Sequence, residues 1–102
     1  MDKLNSYPIT NSGVIGRILD SPDADHIEAV IVLPSSGKVE VLNDVGARIW
    51  SLADGTRTVN EVAATICDEY AIDQATAEKD TLEFLEMLLD RGVIRLSENP
   101  VG

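Results

Sequence analysis

Cysteine is nearly absent. Cys67 stands alone in 102 residues, so no intrachain disulfide can form, and every multi-cysteine metal site is excluded. Histidine is equally scarce, with His26 the single one. Basic residues are few: 8 against 18 acids, a formal charge of −10. Nucleic-acid affinity rests on basic contacts to phosphate, so the balance argues against DNA, RNA and anionic lipid. Basic peptides or basic protein faces are the better electrostatic partners, unless the acidity serves solubility alone. No long apolar run occurs either. The longest aliphatic stretch, Ala29 to Leu33, is far short of the roughly 20 residues of a membrane span. No basic segment followed by an apolar one opens the chain, so no secretory signal is expected. With a single cysteine, the expected location is a reducing cytoplasm.

What is present is ordinary globular composition, 44% hydrophobic and 25% charged, in a length that suits one domain. Residues 1–12 are polar and read as a loose, flexible arm. Val14–Leu19 is a strand candidate around Gly16, followed by an acidic loop over Asp20–His26. Ile27–Leu33 is β-branched and aliphatic. Pro34-Ser35-Ser36-Gly37 signals a turn, and Lys38–Leu42 alternates as a half-buried strand should, so the two strands read as a hairpin. The pattern then becomes helical. Asn43 is the first N-cap, and Val45, Ile49, Trp50 and Leu52 recur until Asp54-Gly55. Thr58 with Glu61 forms a capping box, and Val59, Val62, Ala63, Ile66 and Tyr70 make the second helix's stripe. Asp73 caps a third helix that ends at Gly92. Val93–Leu96 is a short terminal strand, and the tail 97–102 is expected to fray. Strands grouped ahead of helices predict an α+β domain over 13–96, an order compatible with a winged helix.

Catalysis has little to stand on. His26 lies in an acidic loop without a positioned partner and reads as solvated rather than as a general base. Cys67 sits beside an apolar stripe and reads as a small buried hydrophobe. Asp20, Asp23, Asp25 and Glu28 lack the central Gly and twelfth-position Glu of a calcium loop. Gly13 and Gly16 lack the rest of a dinucleotide fingerprint, and Gly37-Lys38 lacks the rest of a phosphate loop. The reading is a non-enzyme with no metal and no cofactor.

The third helix says more. Leu82, Leu85 and Leu89 form one stripe, read as core. Phe84, Leu88 and Arg91 form another, with Asp80 a turn earlier. Either both stripes widen the core contact, or the second lines a partly exposed groove beside the sheet. If Lys38–Leu42 is an edge strand, its main chain is free to pair. An extended peptide would then add to it, with pockets from Phe84, Met87 and Leu88 and attraction from Asp80, Glu83 and Asp44. A DNA-reading role for this helix fails on charge. It carries Asp73, Glu78, Asp80, Glu83, Glu86 and Asp90 against Lys79 and Arg91.

From Leu42 onward the residues resemble the PqqD family of RiPP recognition elements. The resemblance is carried by Leu42-Asn43, Gly46-Ala47-Arg48-Ile49-Trp50, Asp54-Gly55, Arg57-Thr58-Val59, Tyr70, Asp80, Phe84-Leu85, Leu88 and Gly92-Val93. It implies a winged-helix-like fold of a three-stranded antiparallel sheet followed by three helices. It implies a non-catalytic protein that binds the leader of a ribosomally made precursor peptide as an added strand. The leader is then presented to a modifying enzyme, a radical SAM enzyme or a leader peptidase. Pathways of this kind make pyrroloquinoline quinone, lasso peptides and related products. Carried onto this chain, the peptide-facing residues are Lys38, Val39, Glu40, Val41, Leu42, Asp80, Phe84, Met87, Leu88 and Arg91. Asn43, Trp50, Gly55, Thr58 and Gly92 are explained by capping, packing and turns. A scaffold that binds only the modifying enzyme, and an acidic winged-helix regulator, are the rival readings. An exposed edge strand is also a route to a homodimer.

Overall fold

In a computed structural model of the chain, residues 3–20, 27–33 and 36–100 are described. Five strands and three helices follow in order: β1 (Tyr7–Thr10), β2 (Ile15–Asp20), β3 (Ile27–Val32), β4 (Val39–Leu42), α1 (Asp44–Leu52), α2 (Val59–Tyr70), α3 (Gln74–Asp90) and β5 (Ile94–Ser97). The three-stranded sheet has the order β2-β3-β4, antiparallel throughout, and the three helices follow it, as expected. The acidic loop 21–26, with His26, and the turn residues 34–35 lie outside the described residues.

The sheet is built for burial on one face. Ala29, Ile31 and Leu42 are at most 2% exposed, and the register sets them on the inner face, with Ala29 opposite Leu42 and Ile31 opposite Glu40. α1 lies across that face with Ala47, Ile49 and Leu52 buried. Gly16 of β2 allows the closest approach, because a Cβ there would run into the Trp50 ring. Val59, Val62, Ala63 and Ile66 of α2 and Ala77, Thr81, Leu85 and Leu88 of α3 complete the core.

The caps read from the sequence are in place. Asn43 accepts from the Gly46 N–H at 2.8 Å. Thr58 and Glu61 form the reciprocal box, and Asp73 accepts from the Thr76 N–H at 3.0 Å. Each satisfies a donor that a helix start leaves orphaned. α2 ends differently from any glycine stop: Ala71 itself takes the left-handed conformation, at φ 53°.

Three expectations are corrected. The N-terminal arm is not loose over its described part. Lys3–Asn5 forms a 3₁₀ turn, and β1 pairs antiparallel with β5, Tyr7 opposite Ser97 and Thr10 opposite Ile94. Ser6 is fully buried, and its carbonyl accepts from the Val59 N–H at 2.9 Å. The Pro8 carbonyl accepts from Gly55 at 2.9 Å. A polar, proline-containing segment carries no strand signal of its own; pairing with the distant β5 makes it one. Second, the core stripe of α3 is rotated from the Leu82–Leu85–Leu89 reading. Its buried positions are Ala77, Thr81, Leu85 and Leu88, while Leu82 and Leu89 are half-buried. Third, Cys67 is half-buried rather than sealed in, and its thiol donates to the Ile72 carbonyl at 3.0 Å.

Two side chains give predictions. The Thr81 hydroxyl is buried without a hydrogen-bond partner among the described residues. Replacing an unsatisfied buried hydroxyl by a methyl removes its desolvation cost, so Thr81→Val should stabilise the fold by about 1 kcal/mol in chemical denaturation. The Tyr70 hydroxyl donates to Asp44 Oδ1 at 2.8 Å, tying the end of α2 to the start of α1. Burial first, and then this bond, push the phenol up to about 12. The folded value thus lies above the unfolded one near 10, so the contribution is complete below about pH 10 and is lost as pH rises toward 12. The 295 nm titration step removed by Tyr70→Phe should centre near pH 12; a step near pH 10 would show that neither burial nor the bond acts on the phenol.

Candidate functional site

β4 is an edge strand: it pairs with β3 on one side, and no described strand lies on the other. The Leu33 N–H donates to the Lys38 carbonyl at 2.8 Å, so the two main chains face each other at that pair. Antiparallel pairs alternate. Glu40 and Leu42 therefore direct their main chains to β3, and Val39 and Val41 direct theirs to the open side. Side chains alternate as well. Val39 and Val41 are 59% and 64% exposed on the outer face, while Glu40 is half-buried and Leu42 only 2% exposed on the inner one.

α3 runs past this edge. Arg91 at its C-terminal end donates to Glu40 Oε2 at 2.9 Å, bridging helix and strand at one end of the space between them. Both groups are partly solvated, so the pair contributes little stability and is free to exchange partners. At the other end, beyond Leu42, a cavity of about 440 Å³ opens between α1 and α3. Val45, Gly46, Ile49 and Phe84 give it an apolar lining, and Asn43, Asp80 and Glu83 a polar one. Asp80 and Glu83 are exposed on α3. The site is thus an unpaired strand edge beside an apolar cleft with carboxylates on its rim. Such an arrangement holds an extended chain by its backbone and selects it through alternate side chains.

The predicted site residues divide. Val39 and Val41 lie on the edge, and Lys38 is exposed just before it. Asp80 and Phe84 line the cleft. Glu40 and Arg91 meet across the space between strand and helix. Met87 is half-buried against the core and does not line the cleft. Leu88 is fully buried and Leu42 nearly so, which corrects the expectation that these two side chains face a peptide. The helical period puts Leu88 on the Thr81–Leu85 face, and strand alternation turns Leu42 inward.

Val45, Gly46 and Ile49 are absent from that expectation: Val45 and Ile49 read as the first helix's own stripe, and Gly46 only as part of the family signature. Gly46 carried a signal nonetheless. A glycine inside a helix costs about 1 kcal/mol against alanine and calls for a reason. The reason is the Phe84 ring: a Cβ on Gly46 would lie 2.8 Å from Phe84 Cε1.

A second cleft of about 400 Å³ lies on the helix side of the sheet toward β2, between Ile9, Ile18, Trp50 and Ala53. Among the described residues, no group of three or more His, Cys, Asp or Glu is placed to hold a metal. No helix among them is long and apolar enough to cross a membrane.

Gly46→Ala should displace the Phe84 ring and fill part of the cleft. The expected cost is about 1–3 kcal/mol in chemical denaturation, as for other overpacked contacts. Unchanged stability together with an unshifted Phe84 ring signal in NMR would refute the close approach.

Comparison with known proteins fits this geometry. No curated protein sequence matches the chain. The structure of TbiB1 in complex with the TbiA(beta) leader peptide is 29% identical, covers 85% of this chain and 94% of its own, and superposes with a TM-score of 0.69. The solution structure of the PqqD truncation of Methylobacterium extorquens PqqCD, a stand-alone RiPP recognition element, shares the fold at 23% identity. It covers 92% of this chain and 93% of its own, with a TM-score of 0.66. The family described as coenzyme PQQ synthesis protein D matches residues 28–94, a span from β3 to the start of β5. The chain belongs to the PqqD family.

Proposed function

We propose that this protein binds the leader segment of a ribosomally synthesised precursor peptide and presents it to a modifying enzyme, without catalysing a reaction itself. The observation that carries this reading is the free edge of β4 running beside the cleft between α1 and α3. The leader pairs with the outward N–H and C=O groups of Val39 and Val41, and side chains on its inner face reach Phe84 and the carboxylates of Asp80 and Glu83. Those carboxylates favour a leader with a basic residue at that end. The leader-bound state of the similar TbiB1 structure supports the reading, as does membership of the PqqD family.

Finer assignments belong to the same proposal. The modifying enzyme is a radical SAM enzyme or a leader peptidase. The product is pyrroloquinoline quinone, a lasso peptide or a related compound. The free thiol of Cys67 fits a reducing cytoplasm, and the acidic surface of α3 excludes nucleic acid as a partner.

The test is fluorescence anisotropy with the labelled leader of the cognate precursor. Wild type should saturate at about micromolar affinity or tighter, a free energy near 8 kcal/mol. Val41→Pro deletes an N–H directed to the open side, at an edge position where proline is tolerated. It should weaken binding about tenfold or more, roughly the ~1.4 kcal/mol lost with one main-chain bond, while circular dichroism stays native. Asp80→Lys should weaken a basic leader similarly. Unchanged affinity in both variants would place the leader elsewhere. Absent leader binding with retained enzyme binding would favour a scaffold.

A further inference from the structure

Glu40 is out of place on its strand. The inner face of β4 carries Leu42 into the core, and two residues earlier it carries a carboxylate. That carboxylate is held by Arg91 through one bond of 2.9 Å, from Nη1 to Oε2. The Arg48–Glu69 pair, by contrast, closes with two bonds of 2.8 and 2.7 Å, the stronger fork geometry. The Arg91–Glu40 pair is therefore the looser of the two. Its Arg91 side chain is 42% exposed and its Glu40 side chain 25%. Arg91 is also the C-cap of α3. A guanidinium that lets go of Glu40 there keeps water and the favourable end of the helix dipole.

An added strand brings one side chain directly against this pair. Val39 and Val41 direct their main chains to the open edge, so the residue opposite Glu40 forms a non-hydrogen-bonded pair. In such pairs the Cα atoms approach to about 4.5 Å, against about 5.5 Å in hydrogen-bonded ones. Cross-strand pairs share a face, so that side chain enters on the inner side, where Arg91 reaches over from α3. An acid there would oppose Glu40 with like charge. An apolar group would desolvate the carboxylate without replacing its bond. A lysine or arginine satisfies it. The surrounding charge agrees: the chain carries a net −10, and Asp80 and Glu83 stand at the other end of the site. A second cation at Glu40 is repelled by the first, so Arg91 has to leave.

We infer that Arg91 is an internal stand-in for a leader cation: it occupies Glu40 in the free protein, and a lysine or arginine of the leader, opposite Glu40 in the added strand, displaces it. The inference rests on the leader reading above. Arg91 then competes with the leader instead of holding it. The bridge acts as a filter, because a leader without a base at that position leaves Arg91 in place and meets a closed groove. Competition lowers apparent affinity by the fraction of molecules in which the bridge is open. For a solvated pair of this kind that is a factor of about two to five.

The two halves of one ion pair should thus act with opposite sign. The test is anisotropy titration of the full chain with the labelled cognate leader at low ionic strength, where surface pairs are least screened. Arg91→Gln should tighten leader binding about two- to fivefold, and Glu40→Gln should weaken it about threefold or more. In the Glu40→Gln chain, adding Arg91→Gln should have lost its effect, because no carboxylate remains to compete for. The leader's basic residues, replaced by glutamine one at a time, should include one position at which sensitivity to Arg91→Gln disappears. The pair is solvated, so circular dichroism should show every variant folded. Weaker or unchanged binding in Arg91→Gln would overturn the inference, the first result by making Arg91 a leader contact. Tightening that persists in the Glu40→Gln chain would also overturn it, by tracing the effect to net charge alone. Each of these results leaves the leader reading intact. A wild-type leader that fails to bind would sink that reading, and this inference with it.

Discussion

The packing of α1 on the inner face of β3 is the contact from which the rest follows. Small residues on both sides, Ala29 on the strand and Ala47 on the helix, are fully buried and let backbone approach backbone. Ile31 and Ile49 fill the space beside them. Because α1, backed by α2 and α3, covers one side of a three-stranded sheet, that sheet has one dry face and one wet one. Its last strand ends beside a helix instead of another strand. Site and outer surface are both consequences of that one-sided burial.

The cleft owes its shape to the way α3 is held against α1. Gly46 admits the Phe84 ring, and the two line a cavity of about 440 Å³ between the helices. The far end of α3 is steered to β4 by Arg91 and Glu40. That pair is worth little as stability in its solvated position. Its consequence is orientation, because it gives the two ends of the site different charge: carboxylates beside the cleft and a neutralised pair at the opposite end.

α2 and the termini brace this arrangement from behind. Tyr70 reaches Asp44 at the start of α1, and Arg48 of α1 grips Glu69 of α2 through two bonds of 2.8 and 2.7 Å. The Glu69 hydrogen bond pushes the guanidinium up, and the Arg48 hydrogen bond pulls the carboxyl down. β1 and β5 then close over the ends of α1 and α2 through the Thr10–Ala53, Pro8–Gly55 and Ser6–Val59 bonds. The edge of β4 is left out of this bracing, which suits a strand that has to accept a partner.

Local patterns determined much by themselves. Caps at Asn43, Thr58 and Asp73, the change from alternating to helical periodicity after Leu42, and the aliphatic run of the middle strand are near-neighbour effects, legible wherever they occur. The same holds for the family signature, whose pieces are mostly caps, turns and close contacts. Tertiary structure decided what depends on distant partners. Tyr7–Thr10 is a strand only because β5 lies beside it. Leu88 is core and Leu82 half-buried because α2 and the sheet fix the rotation of α3, and the leucines of that helix are too evenly spread for periodicity to choose. Gly46 and Ile49 join Phe84 in one cleft because α1 and α3 cross there. The outer face is a patch only because register aligns Ile15, Val32 and Val39 across three strands, a match no single segment encodes.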